Sequence, residues 1–345
     1  MSVSSKKIVY FDFLNVFACL CVIGMHCNGI AHYFDGSSEW KQSMVIETLG
    51  YWAVPVFFML SGATLMNYRK RYSTKEFLKK RFLKTVLPFI VWSVGMLAYK
   101  MLSGAIVWQG SKAFVELFLN SRIEGVYWFF IPLFMTYLCL PILSKLSEDT
   151  KILKYMTCIG VASCILFPMI CKLLNLSFDS NFYFPITRGY IIYVLLGYLL
   201  HKTDIKLPWR IVIYAMGILG AAFRYFHTVT ASMQSGTLNN MSWGYNSLPC
   251  FVLAVAVFVF AKQVIENNVS PDSKFAKILR WLSGTTFGVY LMHVFVMRNI
   301  VSLFDIDVRL VWWRLVGPII LFVLCVVLVK LLQKIPFIGK IIIPS

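Results

Sequence analysis

Charge is scarce in this chain. Only 14% of its 345 residues are Asp, Glu, Lys or Arg, against about 25% in soluble globular domains. Acid is scarcer than base: 15 Asp and Glu stand against 33 Lys and Arg, a net charge of +18. With 59% hydrophobic residues and a mean hydropathy of +0.73, the composition excludes an ordinary water-soluble domain. Ten-residue stretches of alternating hydrophobicity are missing, which argues against a membrane β-barrel. No GxSxG elbow, Walker loop, HExxH pair or dinucleotide GxGxxG is present. The nine Cys are scattered without metal spacing, and Cys19 and Cys21 point to different faces, so they read as packing residues and no metal is expected. No soluble basic segment exists to carry nucleic acid. The positive charge reads instead as attraction to an anionic membrane leaflet.

What the chain has in plenty is long apolar runs. Ten segments are apolar enough to span a bilayer: 9–30, 44–66, 84–102, 126–145, 154–173, 185–201, 208–227, 245–263, 283–300 and 311–332. The expected fold is all-α, an integral membrane bundle of about ten helices forming a single domain over 1–345. If the N-terminus is cytoplasmic, 23 of the 33 basic residues fall inside, Lys6 and Lys7 among them. The acids lean outward, so both termini are expected in the cytoplasm. Lys6–Lys7 before an apolar run imitates a signal peptide, but Asp12 and the lack of a small-residue cleavage site point to a retained helix. The outside loops near 30–43, 103–125 and 228–244 hold enough polar residues to meet a hydrophilic partner.

Asp12, Asn15 and His26 stand inside the first run, FDFLNVFACLCVIGMH. An ionisable group at the centre of a span costs roughly 2.5–3.5 kcal/mol, which makes such residues functional candidates. Asn15 and His26 are close to three turns apart, so they share one helical face at roughly 16 Å, with Asp12 near the same stripe. A neutral imidazole takes a proton from a hydroxyl and passes it on; the plain alternative is a packed histidine. Tyr290 and His293, in SGTTFGVYLMH, are neighbours on another helix face behind Ser283, Thr285 and Thr286. His293 acts on a donor, orients a group at the site, or packs. The basic loop 69–84, RKRYSTKEFLKKRFLK, suits the phosphates of a nucleotide-like carrier and anionic headgroups alike. Pro55 and Ser61–Gly62 loosen or kink the second span, as happens where a span lines a cavity. Trp128 fits an outer aromatic belt, while Tyr137 and Pro141 have no unambiguous role alone.

In order, these pieces resemble the acyltransferase-3 family of bacterial membrane acyltransferases, over about residues 9–330. The matching segments are FDFLN…MH, VPVFFMLSG, KKRFLKTVLPFIVWS, then Trp128, Tyr137 and Pro141, then YVLLGY and TFGVYLMH. The resemblance implies transfer of an acyl group, usually acetyl, from cytoplasmic acyl-CoA to a carbohydrate hydroxyl outside. It implies acceptors such as capsule, exopolysaccharide, O-antigen or other envelope glycans, and a place in the bacterial plasma membrane. It maps the family's essential His onto His26 and its basic cluster onto Lys80, Arg81 and Lys84.

The expected site therefore has His26, Asp12 and Asn15 as catalytic residues and Lys80, Arg81, Lys84 and Ser61 for acetyl-CoA, with Trp128, Tyr137, Tyr290 and His293 in support. The donor is expected in a channel lined by spans one, two and nine that reaches His26, with Asp12 or Asn15 ordering the imidazole's surroundings. Direct transfer and an acetyl-His26 intermediate both stay open. Two positions depart from the family: Asn15 stands where it carries Arg or Lys, so Arg81 is one candidate for the missing charge, and Tyr127 stands where a polar residue is common. Some relatives carry a fused esterase-like domain; ending at Ser345, this chain is expected to act alone or recruit a partner. The rival readings are a transporter or flippase for a glycan or lipid-linked sugar, and a catalytically dead sensor.

Overall fold

The computed structural model describes residues 8–336 and 338–343; Lys6, Lys7 and Ser345 lie outside them. All regular elements among these residues are helical. In order they are α1 (Val9–Cys27), α2 (Ser38–Gly50), α3 (Ala53–Leu65), α4 (Thr74–Arg81), α5 (Leu87–Leu102), α6 (Ser111–Leu119), α7 (Phe130–Leu146) and α8 (Thr150–Val161). There follow α9 (Phe167–Leu173), α10 (Ile191–Lys202), α11 (Leu207–Ser235), α12 (Leu248–Asn268), α13 (Lys274–Ser283), α14 (Thr286–Leu303), α15 (Val311–Gln333) and α16 (Ile338–Ile342).

Among the described residues, nine helices are long and apolar enough to cross a bilayer. The tenth expected span, 185–201, is the 12-residue helix α10, whose length of about 18 Å does not cross alone. It is entered through short 3₁₀ turns at Ser180–Phe182 and Pro185–Thr187. Those turns are mostly exposed, but Ile192–Leu195 of α10 are all fully buried, so the short helix itself is covered by protein rather than lipid. The expected basic loop 69–84 is largely helical. Ser73 caps α4 by accepting the Glu76 N–H, which starts the third span ten residues early. All three expected outer loops likewise contain helix: α2 begins at Ser38, α6 occupies 111–119, and α11 runs on to Ser235.

Proline shapes two of the spans. α4 and α5 are joined by a π-helical turn at Phe82–Val86, and α8 and α9 by another at Ala162–Leu166. Each turn is centred four residues before a proline, Pro88 and Pro168. Proline has no N–H for the carbonyl at i−4 and its ring presses on that carbonyl, so the helix widens there.

α1 is the hub, packing on α2, α3, α12, α13, α14 and α15. Side-chain bonds gather the basic segments at the end of the bundle where α1 begins. Tyr10 bonds His201 at 2.7 Å, Arg69 donates to Ser144 and to the Pro141 carbonyl, and Lys262 donates to the Leu200 and His201 carbonyls. The opposite end is held by Asp35 with Arg309 and by Glu124 with Arg298 and Lys100. On α15 one face is buried, including Leu321, Cys325 and Val329, while Ile319, Val323, Val327 and Leu331 stay exposed, as a lipid-facing helix requires.

α3 packs tightly against α10, where two glycines let backbones meet. A Cβ on Gly62 would run into the Val194 carbonyl, and one on Gly197 into the Met59 carbonyl. Small residues at such crossings are how membrane helices gain contact without a hydrophobic driving force.

Candidate active site

At the basic end, a cavity of about 620 Å³ opens between the start of α1, the end of α3, α7 and the α13–α14 corner. Its polar wall includes Asp12, Asn15, Ser61, Arg81, Tyr137, Arg280 and Tyr290. Phe57, Leu60, Phe129 and Phe130 supply apolar wall. Arg81 ends α4 just before the π turn; its guanidinium lies 5.7 Å from the Tyr137 ring centre, and its Nε is buried without a hydrogen-bond partner among the described residues. Arg280 comes from α13, with Nε 4.0 Å from the Asp12 carboxylate. Sequence reasoning missed Arg280. In KFAKILRWLS it looks like one more cytoplasmic charge, and only its contact with Asp12 singles it out.

Asn15 has a structural task in this wall. Its Nδ2 donates to Ser283 Oγ at 3.0 Å and Thr286 Oγ1 at 2.9 Å, tying α1 to the start of α14. Two guanidinium groups, Arg280 and Arg81, stand in the same cavity. Ser61 lines the cavity while its hydroxyl bonds the Phe57 carbonyl at 3.0 Å.

His26 is elsewhere. It lines a second cavity of about 700 Å³ at the other end, with Tyr33, Asp35, Arg298, Ser302, Arg309 and Trp313. The expected single channel is corrected: helical rise puts His26 about 21 Å along α1 from Asp12 and about 16 Å from Asn15, too far for either to order its surroundings. Between the cavities stand two rings. The His26 and His293 ring centres are 5.1 Å apart, and those of His293 and Tyr290 5.5 Å. Tyr290 lines the first cavity, so an aromatic and imidazole partition joins one site to the other.

The partition is held from both sides. Tyr290 donates its hydroxyl to the Val126 carbonyl at 2.7 Å, and Tyr127 donates back to the Leu291 carbonyl at 3.0 Å. Tyr127 thus keeps a polar function, as a clasp. Beside it the buried Glu124 carboxylate takes Arg298 at 2.8 Å and Lys100 at 3.1 Å.

Three expected residues lie away from both cavities. Lys80 pairs with Glu76 at 2.7 Å, its ammonium 4.1 Å from the Tyr72 ring centre. Lys84 is exposed on the π turn and does not line the cavity. Trp128 is half-buried in a column of three rings, stacked on Tyr245, which stacks on Tyr51. Among the described residues no three His, Cys, Asp or Glu side chains are grouped to hold a metal ion.

The fold and its two cavities define a multi-pass membrane protein with two adjoining imidazoles, half-buried His26 and fully buried His293, between the openings. A sequence model of a protein family, described as an acyltransferase domain, matches residues 8–331, and the chain belongs to that acyltransferase-3 family. It is a multi-pass membrane acyltransferase. No curated protein and no solved structure matches it significantly.

Proposed function

We propose that the chain moves an acetyl group from acetyl-CoA to a hydroxyl of a cell-envelope carbohydrate, with His26 as general base. The observation that supports this best is the convergence of two cavities on His26, His293 and Tyr290 from opposite ends. Arg81 and Arg280 offer two guanidinium groups to the donor's phosphates, which planar forks bind in bidentate fashion. The apolar wall beyond them suits the pantetheine arm. Asp12 holds Arg280, and Asn15 holds the helix corner that carries it. At the other end, Tyr33 is 78% exposed and gives a ring face for a sugar, with Asp35, Ser302 and Arg309 for its hydroxyls.

In the reaction, His26 takes the proton of the acceptor hydroxyl. The oxygen attacks the thioester carbonyl carbon, the C–O bond forms and the C–S bond breaks, and the proton passes to the departing thiolate. The thioester threads past Tyr290 to reach His26, while His293 stays on the buried side of the imidazole. Excluding water from this partition prevents hydrolysis of the donor. The basic end faces the cytoplasm and the His26 cavity faces out, in a bacterial plasma membrane. Capsule, exopolysaccharide and related surface glycans are the acceptor class.

His26→Ala tests the reading. Transfer to glycan falls by about 10²–10⁴-fold while membrane levels hold. Normal acetylation in that variant would end the mechanism. Purified wild-type protein that releases no thiol from acetyl-CoA with acceptor present would favour the transporter reading.

A further inference from the structure

His293 Nδ1 lies 2.8 Å from the carbonyl oxygen of Tyr290. A carbonyl oxygen only accepts, so Nδ1 carries the hydrogen. In the neutral ring, Nε2 is then a bare lone pair. The residue is fully buried, and Nε2 has no hydrogen-bond partner among the described residues. Buried polar atoms nearly always have a partner, so this acceptor asks for a donor. The imidazole beside it is His26, with ring centres 5.1 Å apart; the two rings are not bonded in this arrangement, but a turn of the His26 ring brings one of its nitrogens within bonding reach of Nε2. Neighbouring groups are already engaged: the Tyr290 hydroxyl on Val126, and Glu124 Oε2 on Arg298 and Lys100.

We propose that His293 Nε2 accepts an N–H from His26 and so holds His26 in the tautomer whose other nitrogen is bare toward the outer cavity. The proposal rests on His26 being the base and makes His293 a positioning residue that touches no substrate. In the opposite tautomer, His26 presents a hydrogen to the acceptor hydroxyl and takes no proton from it. When His26 gains the acceptor's proton, its N–H toward His293 becomes a charged donor and that bond strengthens. Delivery of the proton to the thiolate restores the starting tautomer.

Two variants separate this role from packing. His293→Gln keeps an acceptor oxygen within reach of the Nε2 position; His293→Met keeps bulk and removes it. The Met variant loses about 10–100-fold in kcat with KM for acetyl-CoA and acceptor unchanged, and Gln recovers to within a few-fold. Nitrogen-15 NMR of histidine-labelled protein reads the tautomer without turnover, with His26 signals assigned by their loss in His26→Ala. Wild type and the Gln variant show one His26 tautomer, and the Met variant a mixture. Equal loss in both variants overturns the proposal, as does a tautomer mixture in the wild type, which stands whether or not the variants fold. A wild type that transfers no acetyl but shows one His26 tautomer defeats the acetyl-transfer reading and leaves the imidazole pair standing.

Discussion

Charge placement decides what single side chains do here. Arg280 and Arg81 face one cavity, and on the proposed reading each would donate charged hydrogen bonds of about 1.5–3 kcal/mol to a phosphate of the donor. Arg280→Gln is therefore expected to raise the acetyl-CoA KM about tenfold or more and leave the acceptor KM unchanged, read from steady-state kinetics in detergent. Asp35, in the outer loop, behaves differently. Hydrogen bonds from the Ser37 hydroxyl and N–H hold its carboxyl down at about 2, and Arg309 adds to the effect. A depressed carboxylate stabilises the fold above its unfolded pKa of about 3.9 and loses that contribution as pH falls through about 2. The gap in unfolding midpoint between wild type and Asp35→Asn is therefore expected to stay flat from pH 7 to about 5. It should close between about 4 and 2; a gap that closes near pH 6 would refute this.

Among the elements, the α3–α10 crossing is the least forgiving. With Gly62 and Gly197 set against facing carbonyls, one added methyl forces backbone apart. Gly197→Ala is expected to cost about 1–3 kcal/mol, seen as a lowered melting midpoint in detergent. Ala in place of Gly95, which has open space around its α-carbon, should leave that midpoint within error. The short α10 explains why the sequence pattern overstated this span: apolar residues mark burial in protein as readily as burial in lipid. The widened turn after Arg81 was beyond periodicity altogether, although Pro88 marks its place in hindsight. α1 was legible because polar residues in an apolar run stand out. Their division between two cavities was not, because the dividing ring Tyr290 comes from a helix some 270 residues later.

Across the whole molecule, two openings on opposite ends of α1 imply sidedness. In sealed proteoliposomes of one orientation, acetyl-CoA supplied at the Arg81 and Arg280 end is expected to be consumed, with ester forming on glycan held at the other. Equal transfer with both substrates on one side would contradict the arrangement. All-helical architecture and membrane placement could be read from composition, because bilayer thickness leaves so few solutions. Arg280 could not, since its pairing with Asp12 depends on how α13 folds under the bundle.

The ring partition at Tyr290 and His293 carries one last consequence. A bilayer that stores a voltage cannot host an open water column, yet the proposed esterification draws on both faces. On that reading, a plug of tightly seated rings would let a two-carbon fragment change carriers while ions stay put. Cells can run this chemistry continuously without discharging the gradients they live on.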